Sequence, residues 1–247
     1  YDEFADSTIE KSIRQVEQVL ADAHQRFPGD SYLLEAEAQL ASLLSDSRRA
    51  LRSLENAFQA NPRSPFLAIR LAQQHMRTGS SDKAHEVLQK ALGANPGDQK
   101  LHHAYAGFLR TTNSAKSDEL LYHLQRSFTP GDTNYDAQLL YGRQLFINGD
   151  LNGAKKVFEQ LGKAKVGPEL RSKLLYPIDK TYHGAVSRLE ATYFFIARDG
   201  HNDWIFCSRS NVDENLWKQL VNGSRVAFRV GFNFRGAGAH DVHFENV

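Results

Sequence analysis

Catalysis or metal binding would need nucleophiles, imidazoles or carboxylates at spacings that bring them together. The chain has one cysteine and ten histidines in 247 residues. Cys207 cannot close an internal disulfide, and it alternates inward between Phe206 and Ser208, which makes it a small core side chain and not a nucleophile. Among the histidines only His102–His103 and the pair His240 and His243 suggest ligand spacing. Adjacent histidines on a helix point apart, and the second pair has no nearby Cys, so neither reads as a metal site. The glycine-rich run Arg235–Ala239 follows no dinucleotide-binding strand and lacks the Lys-Ser/Thr of a phosphate loop, so it reads as a turn between strands. No Ser-His-Asp set and no paired carboxylates stand out. These residues predict a non-enzymatic protein with no cofactor and no metal, and the chemistry left to it is recognition.

Bulk charge gives that recognition no direction. Lys plus Arg is 30 and Asp plus Glu is 29, so any contact with nucleic acid or a membrane must come from local patches. With 41% apolar and 24% charged residues the chain is ordinary globular material, which excludes wholesale disorder and fibrous repeats. Its length suits one large domain or two ordinary ones. No apolar run approaches the roughly 20 residues of a membrane span, and the opening YDEFADSTIEKS has neither an apolar stretch nor a cleavage-like site. Together with the single cysteine, this predicts a cytoplasmic protein that makes no membrane contact. The first residue is Tyr and not Met, so the chain reads as a fragment or processed form of something longer.

The elements that position any site come from a repeat. Pro28, Pro62, Pro96 and Pro130 stand 34 residues apart, each closing an amphipathic stretch before a polar turn. A helix that stops at Pro and restarts after a short turn belongs to a helix hairpin. In the clearest unit, Leu71-Ala72 lies on a first helix, Gly79 ends it, and Ala84, Leu88 and Ala91 lie on a second before Pro96. A further unit has Tyr141-Gly142, Gly149, then Ala154, Phe158 and Leu161. An earlier one keeps Leu34, Ala38, Ala50, Leu54 and Ala57, while the stretch from 99 to 134 is degenerate, with Asp118 and Gln125 at small-residue positions. Ser7 to Glu10 offers a capping box for an opening helix. The pattern resembles the tetratricopeptide repeat over residues 7–167, with four hairpins and a leading half hairpin, roughly nine helices. That resemblance implies a solenoid whose concave face holds a protein or an acidic peptide. The groove side chains would be Arg70, Gln73, Arg77, Lys100, His103, Arg110 and Arg143; the competing reading of the same residues is a solvated helix face. The Lys and Asn pattern of a terminal-carboxylate clamp is absent.

After a last helix and linker at 168–180, turning at Tyr176-Pro177, the period becomes two. Ala185–Leu189, Thr192–Arg198, Asp203–Arg209, Arg225–Val230 and Ala239–Phe244 read as five strands, broken by Asp199-Gly200, Asn222-Gly223 and Gly236–Gly238. The insertion NVDENLWKQLVNG carries a helical turn. Five short strands in about 65 residues suit a small closed barrel. The segments GAVSRLEATYFFIARDG, DWIFCSRSNV and NGSRVAFRVGFNFRGAGAHDVHF resemble a cold-shock domain, an oligonucleotide-binding barrel, over 181–247. The resemblance implies that unpaired bases of RNA or DNA stack on Tyr193, Phe195 and Phe206, with Trp204 adding area and Arg188, Arg209 and Arg229 reaching phosphates. The departures are Phe194 for a usual Gly, Ser208 for His, Arg209 for an aromatic, and a shorter link between the first two strands. Seven basic and seven acidic residues leave this segment without net charge.

The fold class expected is therefore a tetratricopeptide helix-hairpin solenoid followed by a five-stranded barrel. The leading functional expectation is an adaptor that couples protein recognition to single-stranded nucleic-acid binding. The alternatives are a protein-only scaffold whose barrel is a cap or dimer contact, and the C-terminal sensor part of a larger enzyme.

Overall fold

A computed structural model describes residues 2–112, 117–172 and 178–245. Nine helices come first among these residues: α1 (Asp2–Arg26), α2 (Ser31–Leu43), α3 (Ser47–Ala60), α4 (Pro65–Arg77), α5 (Ser81–Ala94), α6 (Gln99–Thr112), α7 (Ser117–Gln125), α8 (Tyr135–Ile147) and α9 (Leu151–Gly162). A short α10 (Pro168–Ser172) follows. Then come β1 (Thr181–Leu189), β2 (Tyr193–Arg198), β3 (Trp204–Ser208), α11 (Glu214–Gln219), β4 (Arg225–Asn233) and β5 (Gly236–Phe244). Tyr176-Pro177, the expected turn of the linker, lies outside the described residues. Contacts divide the chain into two compact units, 1–116 and 117–247.

The local chemistry of the hairpins is regular. Asp30, Asp46, Ser64, Asn134 and Asp150 each accept a hydrogen bond from a backbone N–H in the first turn of the helix that follows, satisfying donors that a helix start leaves open. Gly79 and Gly149 take positive φ between paired helices, and the next residue donates back to the carbonyl of His75 or Leu145. Ala50, Ala57, Ala84 and Ala91 are fully buried, so paired helices approach closely at these positions. Gly142 does the same for α8, since a Cβ there would meet the Phe158 ring at 3.0 Å. The opening helix does not start at Ser7: α1 already begins at Asp2, which places the expected capping box inside the helix.

The five strands close into a barrel in the order β1-β2-β3-β5-β4, with β4 antiparallel to β1 and β3 parallel to β5. Alternation buries Phe194, Ile196, Cys207, Val226, Phe228 and Val230, none more than 0% exposed. Gly184 lets β1 pass the Ala197 carbonyl, where a Cβ has no room. The glycine-rich run is not a loop: the turn is Phe234-Arg235, and Gly236 to Gly238 already pair with Asn233 to Gly231. Gly236 enters β5 at φ +113, so the turn needs only two residues and the expected break becomes strand. The barrel core is also not confined to the barrel. Leu139, Leu145, Phe146, Ala154, Phe158 and Leu161 of α8 and α9 belong to the same hydrophobic cluster as the strand residues. Phe232 packs on Phe146 and Phe158 at ring distances of 5.3 and 5.7 Å.

Candidate functional site

The first surface lies in the first unit, on the helices that open each hairpin. Leu67, Ala68, Leu71 and Ala72 turn inward from α4, which leaves Arg70, Gln73 and Arg77 on its outer side. A cleft of about 420 Å³ opens between α4 and α6, with Ala72, Leu88 and Phe108 in its floor and Gln73, Arg77, His103 and Arg110 in its walls. Its floor is stiffened from behind, where the Tyr105 hydroxyl meets His85 Nε2 at 2.7 Å and both rings lie near Phe108. A second cleft, of about 370 Å³, continues past α4 and shares Ile69, Gln73 and Arg77, adding Arg70 and Phe66. Arg70 is 3.8 Å from Glu35 and stands over the Phe66 ring at 5.6 Å, whereas Arg77 has no ion-pair or hydrogen-bond partner among the described residues. Of the seven expected groove residues, five line these clefts. Lys100, exposed in the first turn of α6, lines neither, and Arg143 sits on α8 in the other unit. Phe66, Met76 and Phe108 were not expected in the groove; an apolar residue on a helix gives no sign of whether it faces a core or a cleft.

The second surface is the outer face of β2 and β3. Phe195 pairs with Phe206 across the strands and Tyr193 with Ser208. The rings of Tyr193, Phe195 and Phe206 form a closed triad with centroids 5.7 to 5.9 Å apart. Phe206 is 38% exposed and the other two are half-buried, so ring surface is left for a ligand. Trp204 is 71% exposed but makes no ring contact with the triad among the described residues; it lines a cleft together with α9 residues instead. Arg188 pairs with Phe195 from β1 and is 2.9 Å from Glu190. Arg209, beside the end of β2, is 3.4 Å from Glu214 and stands over Trp217. Arg229 is elsewhere: β4 has no ladder with β2 or β3, and its guanidinium lies 2.9 Å from Asp179 and 3.7 Å from Asp241. Strand alternation predicts which face a residue takes but not which side of a closed barrel that face looks from.

The remaining candidates take structural places. Burial pushes the Cys207 thiol up to about 12, so it stays protonated within the core. His102 is buried with Nε2 3.0 Å from the Pro96 carbonyl while His103 lines the cleft, as expected of neighbours on a helix. Among the described residues no three His, Cys, Asp or Glu side chains are grouped to hold a metal ion, and no helix is long and apolar enough to cross a membrane.

Residues 44–107, covering α3 to α5 and most of α6, match the tetratricopeptide-repeat family model. No curated protein matches the chain in sequence. Among solved structures, PilF of Pseudomonas aeruginosa is 16% identical, covering 63% of this chain and 70% of that one at a TM-score of 0.50. MamA of Desulfovibrio magneticus RS-1 is 14% identical over 65% of this chain and 90% of its own, with a TM-score of 0.47. YrrB, described as a TPR protein with an unusual peptide-binding site, is 17% identical over 62% and 79%, at 0.45. The N-terminal helical region thus contains tetratricopeptide repeats over residues 44–107, and a closed five-stranded β-barrel follows that region.

Proposed function

We propose that the chain is a non-enzymatic adaptor: its repeat groove takes an acidic segment of a partner protein, and its barrel takes single-stranded nucleic acid on the β2–β3 face. The observation that carries the first part is the α4–α6 cleft, an apolar floor with Arg77 and Arg110 in its walls. Guanidinium groups donate two parallel hydrogen bonds to a carboxylate, and an apolar floor gives a partner side chain area to bury. Reversing Arg77 and Arg110 to Glu is expected to abolish pull-down of an acidic partner while the helical circular dichroism stays unchanged. Undiminished recovery would remove the groove from the reading.

For the barrel, the support is the strand order with a helix between β3 and β4, which is that of an oligonucleotide-binding barrel, and the aromatic triad where such barrels stack bases. The carboxylates beside Arg188 and Arg209 are exposed, contacts weak enough to exchange for phosphate, while Arg209 also rests over Trp217. Each stacked base is worth about 1–3 kcal/mol. Changing Tyr193, Phe195 and Phe206 together to Ala is expected to weaken binding of a fluorescent single-stranded oligonucleotide by at least tenfold, about 1.4 kcal/mol, with little change in melting temperature. The protein-only scaffold draws on the same arginines, since each already has a carboxylate beside it. No oligonucleotide binding by the wild type up to roughly millimolar, past the usual non-specific range, would favour that scaffold.

A further inference from the structure

Apart from both surfaces, the second unit has a cleft of about 480 Å³ where α8 and α9 meet the barrel, a size that suits a bound side chain or small ligand. Phe146, Leu151 and Phe158 line it from the helices, and Ile205, Phe234 and Ala237 from the strands. Packing of Phe146 and Phe158 on Phe232 fixes these walls, so the cleft is preformed. Trp204 forms the lip and leaves 71% of its surface in water. An indole is the largest apolar group a chain can bury, and beside an apolar cleft it is a ready cover for an occupant.

Charge narrows the choice of occupant. Four charged residues ring the cleft: Lys155, Glu159, Asp203 and Arg235. Lys155 and Glu159 lie 3.9 Å apart on one face of α9. Asp203 gives both carboxylate oxygens to Arg198, at 3.0 and 2.6 Å. Arg235, exposed on the β4–β5 turn, has no side-chain partner among the described residues. The rim is therefore balanced except for one cation. We infer that this cleft is a second protein-docking site, which takes a large apolar side chain of a partner segment while an adjacent carboxylate of that segment pairs with Arg235. A nucleic-acid strand fits less well, because a charge on every nucleotide would pass Glu159 and Asp203, whereas a single carboxylate matches the single unpartnered guanidinium.

The test uses the whole chain and two dyes, anilinonaphthalene sulfonate, which is apolar with one anionic group, and phenylnaphthylamine, its uncharged counterpart. Both are expected to take energy transfer from Trp204 as well as from Trp217, the chain's other tryptophan, and the Trp204 share is lost in Trp204→Phe. Arg235→Glu should weaken the sulfonate about fivefold and leave the uncharged dye unchanged, since only an anion feels the reversal. Arg235 makes no side-chain contact that folding needs, and Ala237→Leu, which narrows the cleft, is a second variant that should weaken both dyes. A short peptide pairing Phe with Asp should displace the sulfonate better than the same peptide with Asn for Asp. Absence of Trp204-dependent transfer, or a sulfonate affinity indifferent to Arg235→Glu, would overturn the site. Equal displacement by the two peptides would overturn the carboxylate pairing, and displacement by oligouridylate but not by peptide would overturn the choice of a protein partner.

Discussion

His75 has its ring inside the repeats, with 3% of its surface exposed, Nδ1 buried without a hydrogen bond and Nε2 3.9 Å from Glu55. Burial holds the imidazole below its usual value of 6.5; Glu55 opposes this and Lys83 reinforces it. The unfolded chain therefore takes up this proton before the folded one does. Stability from this residue is complete above the unfolded value and falls as pH drops through it towards the lower folded value. His75→Gln is expected to flatten the loss of stability between about pH 7 and about pH 5, read as urea midpoints at each pH. Equal losses in the two proteins would show that His75 does not titrate with unfolding. Nothing in the sequence singled out His75, because a lone histidine on a helix becomes a buried one only when a neighbouring helix covers it. Tyr193 and Phe195 were legible as one face, because a period of two within β2 places them together, whereas Phe206 was placed by the resemblance and sits beside Phe195 through the β2–β3 register. Arg229 was not separable from Arg188 by the same rule, since the rule is silent about the far side of a barrel.

At the scale of elements, the ladder of 34 residues shows where the hairpins turn and where one turn is imperfect. Gly79 has φ +75 at its turn, and Ser45, one repeat earlier, has φ +59 at the corresponding position. A left-handed conformation costs an L-residue roughly 1–2 kcal/mol, part of which Gly returns in chain entropy. Ser45→Gly is expected to stabilise the repeats by about 0.5–1 kcal/mol, measured as a rise in the denaturation midpoint. An unchanged or lowered midpoint would mean that the Ser side chain compensates. The sequence marked this turn by its length and by the apolar periods on either side, although the residue at its tip was the wrong one. The opposite happened in β5: Gly236 and Gly238 are breaking residues by composition, yet pairing with β4 makes them strand, and Gly236 at φ +113 supplies the two-residue turn.

At the scale of the whole molecule, the barrel and the last hairpin share one core. Arg198 joins them further: it is 5% exposed, bound to Asp203, and lies over Phe146 of α8 and Tyr182 of β1 at 4.8 and 5.0 Å. A desolvated guanidinium between two rings and a carboxylate is tolerable only while all three remain in place. A fragment of 117–247 is therefore expected to unfold in one cooperative transition, whereas 178–247 alone should show the broad melt and dye binding of a chain with an uncovered core. Phe158→Ala, which removes a buried ring from the shared cluster, should destabilise the 117–247 fragment by about 3–5 kcal/mol. A sharp melt of 178–247 matching that of the longer fragment would show that the barrel needs no helices.

The sequence by itself determined the helices, most of their turns, the five strands and the shared face of Tyr193 and Phe195, because caps, proline stops and residue periods act within a few positions of the chain. Only the tertiary structure decided that the barrel core extends into α8 and α9, that Arg229 is turned away from the triad, and that Trp204 and Arg235 meet around a cleft with Phe158. Those outcomes come from burying apolar surface, which is non-directional and depends on total fit. A phenylalanine on α9 and one on β4 carry no mutual mark in the sequence, and they become partners only when both elements close over the same volume.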